Sequence, residues 1–252
     1  LGEALPLQVR TTLLAAHALP EEYKHDREGY LRLITDELLP AVADEKLADF
    51  IDVFCETNYF TVAEMERVLE AGARFGLPGK VHVNQFTSLG AIRAAVKHGA
   101  LSVDHLEVME EADLFALDGA ATIPTLLPSC SFFLRIPYAP ARAIIDRGCA
   151  VALATDHNPG STPSGNMNLV VSLACIQLRM LPAEAINAST LNAAAAMGLA
   201  HELGSITVGK RASLIITRPV PSLAYLPYSF GSDHIDTVII DGKPERSGEA
   251  LA

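Results

Sequence analysis

Side chains able to do chemistry recur along this 252-residue chain where short apolar runs give way to polar residues. His17 follows Val9–Ala16, and Cys55 and Glu56 follow Phe50–Phe54. His82 sits inside Lys80–Val83, just ahead of Asn84 and Gln85. Asp104 and His105 follow Ser102–Val103, and Asp156 follows Val151–Ala154. His82 and Asp156 offer a neutral imidazole and a carboxylate, a pair suited to a first-row divalent metal. Two ligands are too few by themselves, since a retained catalytic metal takes about three from the protein. Each residue also has a quieter reading. A strand-end histidine such as His17, His82 or His105 can simply bond to backbone, and Asp156 can start an Asx turn or cap the next helix. Asn158-Pro159-Gly160-Ser161 reads either as a surface turn or as a loop whose amide and N–H groups hold a polar substrate. His157 points away from the side chain of Asp156, and His25, His98, His201 and His234 read as solvent-facing.

The elements that must position these residues alternate strand with helix, the pattern of a parallel α/β fold. Besides the five runs above, Ala121–Leu127 reads as a strand. Helices are expected at Arg27–Leu39 (ending at Pro40), Thr61–Phe75, Leu89–His98, Glu110–Asp118, Pro140–Arg147, Met167–Arg179, Pro182–Ala188 and Leu191–Leu203. Thr61 with Glu64 three residues on is a capping-box pattern. After Gly204 the composition changes. Ser205–Thr217 and Ile235–Asp241 read as strands of a separate β element, which gives the division 1–203 and 204–252. A (β/α)8 barrel needs eight strands and places its chemistry at their carboxyl ends. Six β/α units do not close one, so either two units and the partner of the β element lie upstream, or the fold is another one; the first alternative, an amino-terminally truncated piece, is the expectation.

Half of the residues are hydrophobic and 19% are charged, which suits a large buried core and excludes disorder. A net charge of −11 gives no basic stripe for nucleic acid and no attraction to anionic membranes. No apolar run approaches the ~18 residues of a membrane span. Cys55, Cys130, Cys149 and Cys175 form no close pair, so neither a zinc knuckle nor a redox motif is expected. Cys149 and Cys175 read as buried thiols, and the whole reads as a cytoplasmic protein.

Several tracts together carry a resemblance: Ala16-His17-Ala18, Asp52-Val53-Phe54-Cys55-Glu56, Lys80-Val81-His82, Val103-Asp104-His105-Leu106, Thr155-Asp156-His157-Asn158-Pro159-Gly160 and Thr190-Leu191-Asn192-Ala193-Ala194. In this order they resemble the imidazolonepropionase family of the metal-dependent amidohydrolase superfamily. The Asp-Val-Phe-Cys-Glu and Thr-Asp-x-Asn-Pro-Gly tracts are the specific ones. The resemblance implies a (β/α)8 barrel of the amidohydrolase type, here about strands three to eight, with part of a small β-sandwich domain. It implies hydrolysis of the cyclic amide of 4-imidazolone-5-propanoate to N-formimidoyl-L-glutamate, in histidine degradation. His82 and Asp156 resemble the metal ligands, for one Zn²⁺ or Fe²⁺/Fe³⁺ per chain. His105, Asp156 and Gln85 resemble catalytic-site groups. His17, Asn158, Gly160 and Ser161 resemble substrate-contacting positions. Gln85 falls where many members place a Glu against the substrate ring, and as Gln it can hydrogen-bond but not exchange a proton. Cys55-Glu56 stand where two-metal relatives carry a carbamylated lysine. The His-x-His pair of the family's first barrel strand occurs nowhere in this sequence. The resemblance also implies a small-molecule substrate, no nucleic-acid or membrane partner, and a homodimer for the full-length protein. Two other readings remain beside it: a nucleobase-type deaminase, and an inactive fragment lacking half of the metal site.

Overall fold

The computed structural model describes residues 2 and 4–246. In chain order the elements are β1 (Thr12–Ala16), α1 (Arg27–Arg32), α2 (Leu39–Asp44), β2 (Phe50–Cys55), α3 (Val62–Arg74), β3 (Gly79–Val83), α4 (Ala91–Lys97), β4 (Ser102–His105), α5 (Glu111–Leu117) and β5 (Ile123–Leu126). Then follow α6 (Pro128–Leu134), α7 (Ala141–Asp146), β6 (Ala152–Leu153), α8 (Met167–Ile176), α9 (Pro182–Ser189), α10 (Leu191–Ala196), β7 (Leu214–Thr217), α11 (Tyr225–Tyr228), β8 (Ile235–Ile240) and β9 (Lys243–Arg246). They divide into two compact units. One is Arg10–Leu126 with Ala143–Val151, and the other holds the described residues before Arg10, Leu127–Arg142 and the described residues from Ala152 on.

The first unit is built on β1 to β5, parallel and hydrogen-bonded in sequence order. Parallel pairing buries both faces, and β2 (FIDVFC) is buried at every residue. Ile51, Val53, Val81, Val83 and Val103 form the apolar core of the strands, with α3 packed on β2 and β3. Alternation sends Asp52 and Phe54 to the opposite face. Phe54, His82, Asp104 and Thr125 are register partners across four strands, so they form one row on that face. Asp52, Lys80 and Ser102 form the row beneath it.

Helix α3 begins with the expected capping box. Thr61 Oγ1 accepts from Glu64 N at 3.3 Å, while Glu64 Oε2 accepts from Thr61 N at 2.7 Å. Arg27 grips the Glu64 carboxylate with two nitrogens. Burial by itself would raise the Glu64 pKa, but the bonds from Arg27 and Thr61 outweigh it and hold the carboxyl below its ordinary range.

Several expected boundaries shift. The helix from Arg27 does not stop at Pro40 but runs to Asp44, because a π turn at Leu33–Leu38 precedes the proline. Leu39 N there bonds to Ile34 O, one residue further back than in an α-helix, so the ladder is respaced just where proline has no N–H to give. β4 extends two residues beyond Val103, so Asp104 and His105 lie in the strand itself. A helix at Pro128–Leu134 was not expected; Pro128 stands at its first position, where a missing N–H costs nothing.

In the second unit α9 and α10 pack on β6, and α8 packs on α6, α9 and α11. The strand-like reading of Ser205–Thr217 reduces to β7, which joins β8 and β9 in an antiparallel three-stranded sheet with Leu214 opposite Ile239. The Ala-rich helix ends at Ala196 rather than near Leu203. Gly204 follows with φ +87, where an added Cβ would lie 2.8 Å from Thr190 O and 2.9 Å from Leu191 Cα. Among the described residues, no helix is long and apolar enough to cross a membrane.

Thr61→Ala is expected to lower stability by about 1 kcal/mol through loss of the cap. Gly204→Ala meets backbone atoms as well as a strained φ and is expected to cost about 1–3 kcal/mol. Urea midpoints at unchanged m-value measure both.

Candidate active site

The carboxyl ends of the parallel strands in the first unit gather three imidazoles. β1 carries a bulge between Leu13 and Ala16, and a bulge re-aims the residues that follow it. His17 then stacks on Phe54 with ring centroids 5.2 Å apart and meets His82 edge-on at 6.4 Å. The register pairs His105 with Val83 and Leu126, positions of the face opposite His82. Yet the His105 ring lies 5.5 Å from the His82 ring. His105 and Leu106 take φ of +89 and +67, a left-handed backbone that breaks the alternation at the strand end. Such conformations cost about 1–3 kcal/mol each in non-glycine residues and persist where neighbours over-determine them. Asn84 at the end of β3 (φ +56) and Asp156 after β6 (φ +53) share this feature.

The over-determination is visible. Buried Asn84 donates from Nδ2 to Val108 O at 2.8 Å and to Asp113 Oδ2 at 2.9 Å. Asp113 Oδ2 also accepts from Ser88 Oγ at 2.8 Å and Glu110 N at 3.0 Å. Glu107, likewise buried, brings Oε2 to 3.5 Å from His105 Nδ1. Glu56 accepts from the backbone N–H groups of Thr57, Phe86 and Thr87, at 2.7, 2.9 and 3.1 Å, and from the Thr87 hydroxyl. Glu56 is therefore a latch on the loop after β3, which carries the buried Gln85. Burial, with Glu56 adjacent, pushes the Cys55 thiol up to about 12, so it is neither a nucleophile nor a ready ligand at neutral pH.

Beneath and beside the His82 imidazole lie carboxylates. Asp52 Oδ2 is 3.0 Å from His82 Nδ1, with the Asp52 side chain 4% exposed and that of His82 19%. Asp104 Oδ1 accepts from Ser102 Oγ at 2.8 Å, and Ser102 Oγ accepts from Lys80 Nζ at 2.6 Å. Asp52, His82 and Asp104 each bring a potential ligand atom within 4.8 Å of the others. Nitrogen and carboxylate donors of this kind fit a zinc- or iron-class ion. Asp52 belongs to the specific Asp-Val-Phe-Cys-Glu tract, but nothing beyond that marked it. A charge inside an otherwise apolar run, two residues from Phe54 and four from Glu56, was the signal that it shares the polar face.

In the second unit the loop after β6 is wired through Asn158. Its Oδ1 accepts from Gly160 N at 2.9 Å and Ser161 N at 2.7 Å. Its Nδ2 donates to Asp156 O at 2.8 Å and Ser161 Oγ at 2.7 Å. Asp156 Oδ2 accepts from the hydroxyls of Ser161 at 3.1 Å and Thr162 at 3.3 Å. So Asp156, Asn158, Gly160 and Ser161 form one preorganised turn, and His157 is exposed. Two of the remaining histidines depart from expectation. His98 is only 15% exposed and pairs with Glu66 at 3.1 Å, and the Nε2 of His234 is buried, with its ring 5.5 Å from that of Tyr225. Cys149 and Cys175 are half-buried, while Cys55 and Cys130 are the buried thiols.

A family model described as "Amidohydrolase family" matches residues 11–244. Among curated proteins, the imidazolonepropionase of Flavobacterium johnsoniae is 56% identical over 96% of this chain and 59% of its own length. That of Geobacillus kaustophilus is 44% identical over 96% of this chain and 57% of its own. The chain thus spans under two thirds of the relatives it matches. Among solved structures, a triazine hydrolase variant has a TM-score of 0.78 at 18% identity, covering 100% of this chain and 64% of that one. An adenosine deaminase from Xanthomonas campestris, with bound zinc, has a TM-score of 0.75 at 19% identity, covering 98% and 62%. These structures establish an α/β fold of the amidohydrolase barrel type, and the chain belongs to the amidohydrolase family.

Proposed function

We propose that the protein hydrolyses the cyclic amide of 4-imidazolone-5-propanoate to N-formimidoyl-L-glutamate. The observation that carries the reading is the cluster of His17, His82 and His105 at the carboxyl ends of parallel strands. Similarity to several imidazolonepropionases supports the substrate class. In this reading His82 and Asp156 hold one zinc or iron ion per chain. Such an ion, when bound, lowers the pKa of a water toward ~7.

The chain's own residues supply the rest. Asp156 accepts the proton of the attacking water and returns it to the departing ring nitrogen. A C–O bond forms at the carbonyl carbon as the lactam C–N bond breaks. His105 donates to the oxyanion that develops on the carbonyl oxygen. His17, Gln85, Asn158, Gly160 and Ser161 hold the substrate, and Gln85 does so as a hydrogen-bonding group without exchanging a proton. The self-wired turn supports this role for Asp156, because both hydroxyls that meet its Oδ2 fix the carboxylate before substrate arrives. The same reading places residues 1–203 in the catalytic barrel and 204–252 in a small β domain, in a cytoplasmic homodimer.

Asp156→Asn is expected to bind little zinc or iron and to lose nearly all turnover. Retention of both, by metal analysis and substrate absorbance, rules out its role. Offered imidazolone propionate together with cytosine and guanine, the protein is expected to consume only the first. Faster deamination of either base overturns the substrate assignment.

A further inference from the structure

The first unit buries the carboxylates of Asp52, Glu56, Glu107 and Asp113, and Glu107 sets its Oε2 3.5 Å from His105 Nδ1. Glu56 and Asp113 accept from backbone N–H groups and tie loops together. Asp52 ties nothing of this sort: its Oδ1 is buried with no hydrogen-bond partner among the described residues, and its Oδ2 lies 3.0 Å from His82 Nδ1, an ion-pair distance rather than an aligned hydrogen bond. A carboxylate taken out of water for no structural return is costly, since each buried ion loses several kcal/mol of hydration (roughly) unless it is met. Asp104 is differently placed. It faces His82 in the register, but Ser102 occupies its Oδ1, and Lys80 in turn donates to Ser102.

We propose that Asp52 is a positioning residue for His82, fixing the imidazole in the tautomer that carries its proton on Nδ1. An Nδ1 lone pair turned toward a carboxylate is repelled, whereas an Nδ1–H is attracted. The proton therefore belongs on the Asp52 side and the lone pair on Nε2, the nitrogen on the far side of the ring. A histidine ligand needs this arrangement, and a carboxylate behind it also raises its basicity. Lys80, through Ser102 and Asp104, places a positive charge beside the same pair, so the two carboxylates do not face one another uncompensated. The inference deepens the metal-site reading and rests on it.

The test uses the protein labelled with ¹⁵N-histidine and stripped of metal, with His82 assigned by its disappearance in His82→Ala. Long-range ¹H–¹⁵N correlation is expected to show the Nδ1–H form of His82. Asp52→Asn, which keeps the shape but removes the charge, is expected to weaken Zn²⁺ binding about 10–100-fold in chelator competition. An Nε2–H form in the unmodified protein overturns the inference, and that result does not depend on any variant folding. Zn²⁺ affinity lost in His82→Ala but unchanged in Asp52→Asn also overturns it, while leaving the metal-site reading intact. Undiminished affinity in His82→Ala instead overturns the metal-site reading itself.

Discussion

Charge removed from water must be met by charge or by well-aimed donors, or the fold loses several kcal/mol per ion, roughly. The polar face of the parallel strands is arranged around that requirement. Phe50 lies between two cations, with Arg10 5.1 Å and Lys80 5.6 Å from its ring centroid. Arg10 pairs with Asp49 at 2.9 Å, and Lys80 feeds the Ser102–Asp104 chain. Lys80 thus shares a row with Asp52, and Asp104 shares the next row with His82, so cation, carboxylate and imidazole are interleaved on one face. The strand ladder makes this interleaving possible, because residues two apart share a face and register partners share a row.

Toward the strand ends the structure trades backbone comfort for aim. Left-handed φ values at Asn84, His105, Leu106 and Asp156 fall at the ends of three strands. In a relaxed strand His105 would face away from His82, and the departure from ideal geometry is what brings the two rings together. Hydrogen bonds from Asn84 and to Asp113 and Glu56 hold the loops that enforce it. The residues doing this holding are ordinary in type. Their weight comes from being buried and from bonding to the backbone and side chains of the loops they hold.

Much of this could be read from the sequence. Apolar runs ending in His, Asp or Glu located the strands to within a few residues, and the Thr61–Glu64 spacing located a helix start to the residue. What escaped were features that depend on contacts distant in sequence. Glu56 looks like a site residue until its three backbone donors are seen, two of them thirty residues onward. Pro40 looks like a helix stop because a π turn leaves no compositional trace. Asp52 was visible as a letter in a motif, but its nearness to His82 depends on the register between β2 and β3. Alternation within one strand gives the face of a residue; only pairing gives its neighbours.

The Asn158 turn carries one more implication, concerning chemical ageing. A single side-chain amide there satisfies four bonds, so converting it to a carboxylate would break the two that Nδ2 donates. Asparagine normally deamidates when the next residue's backbone nitrogen attacks the side-chain carbonyl. Here that next residue is Pro159, whose nitrogen carries no hydrogen to lose. The turn that presents Asp156 is thereby guarded, by the identity of one neighbour, against the commonest spontaneous damage an asparagine suffers.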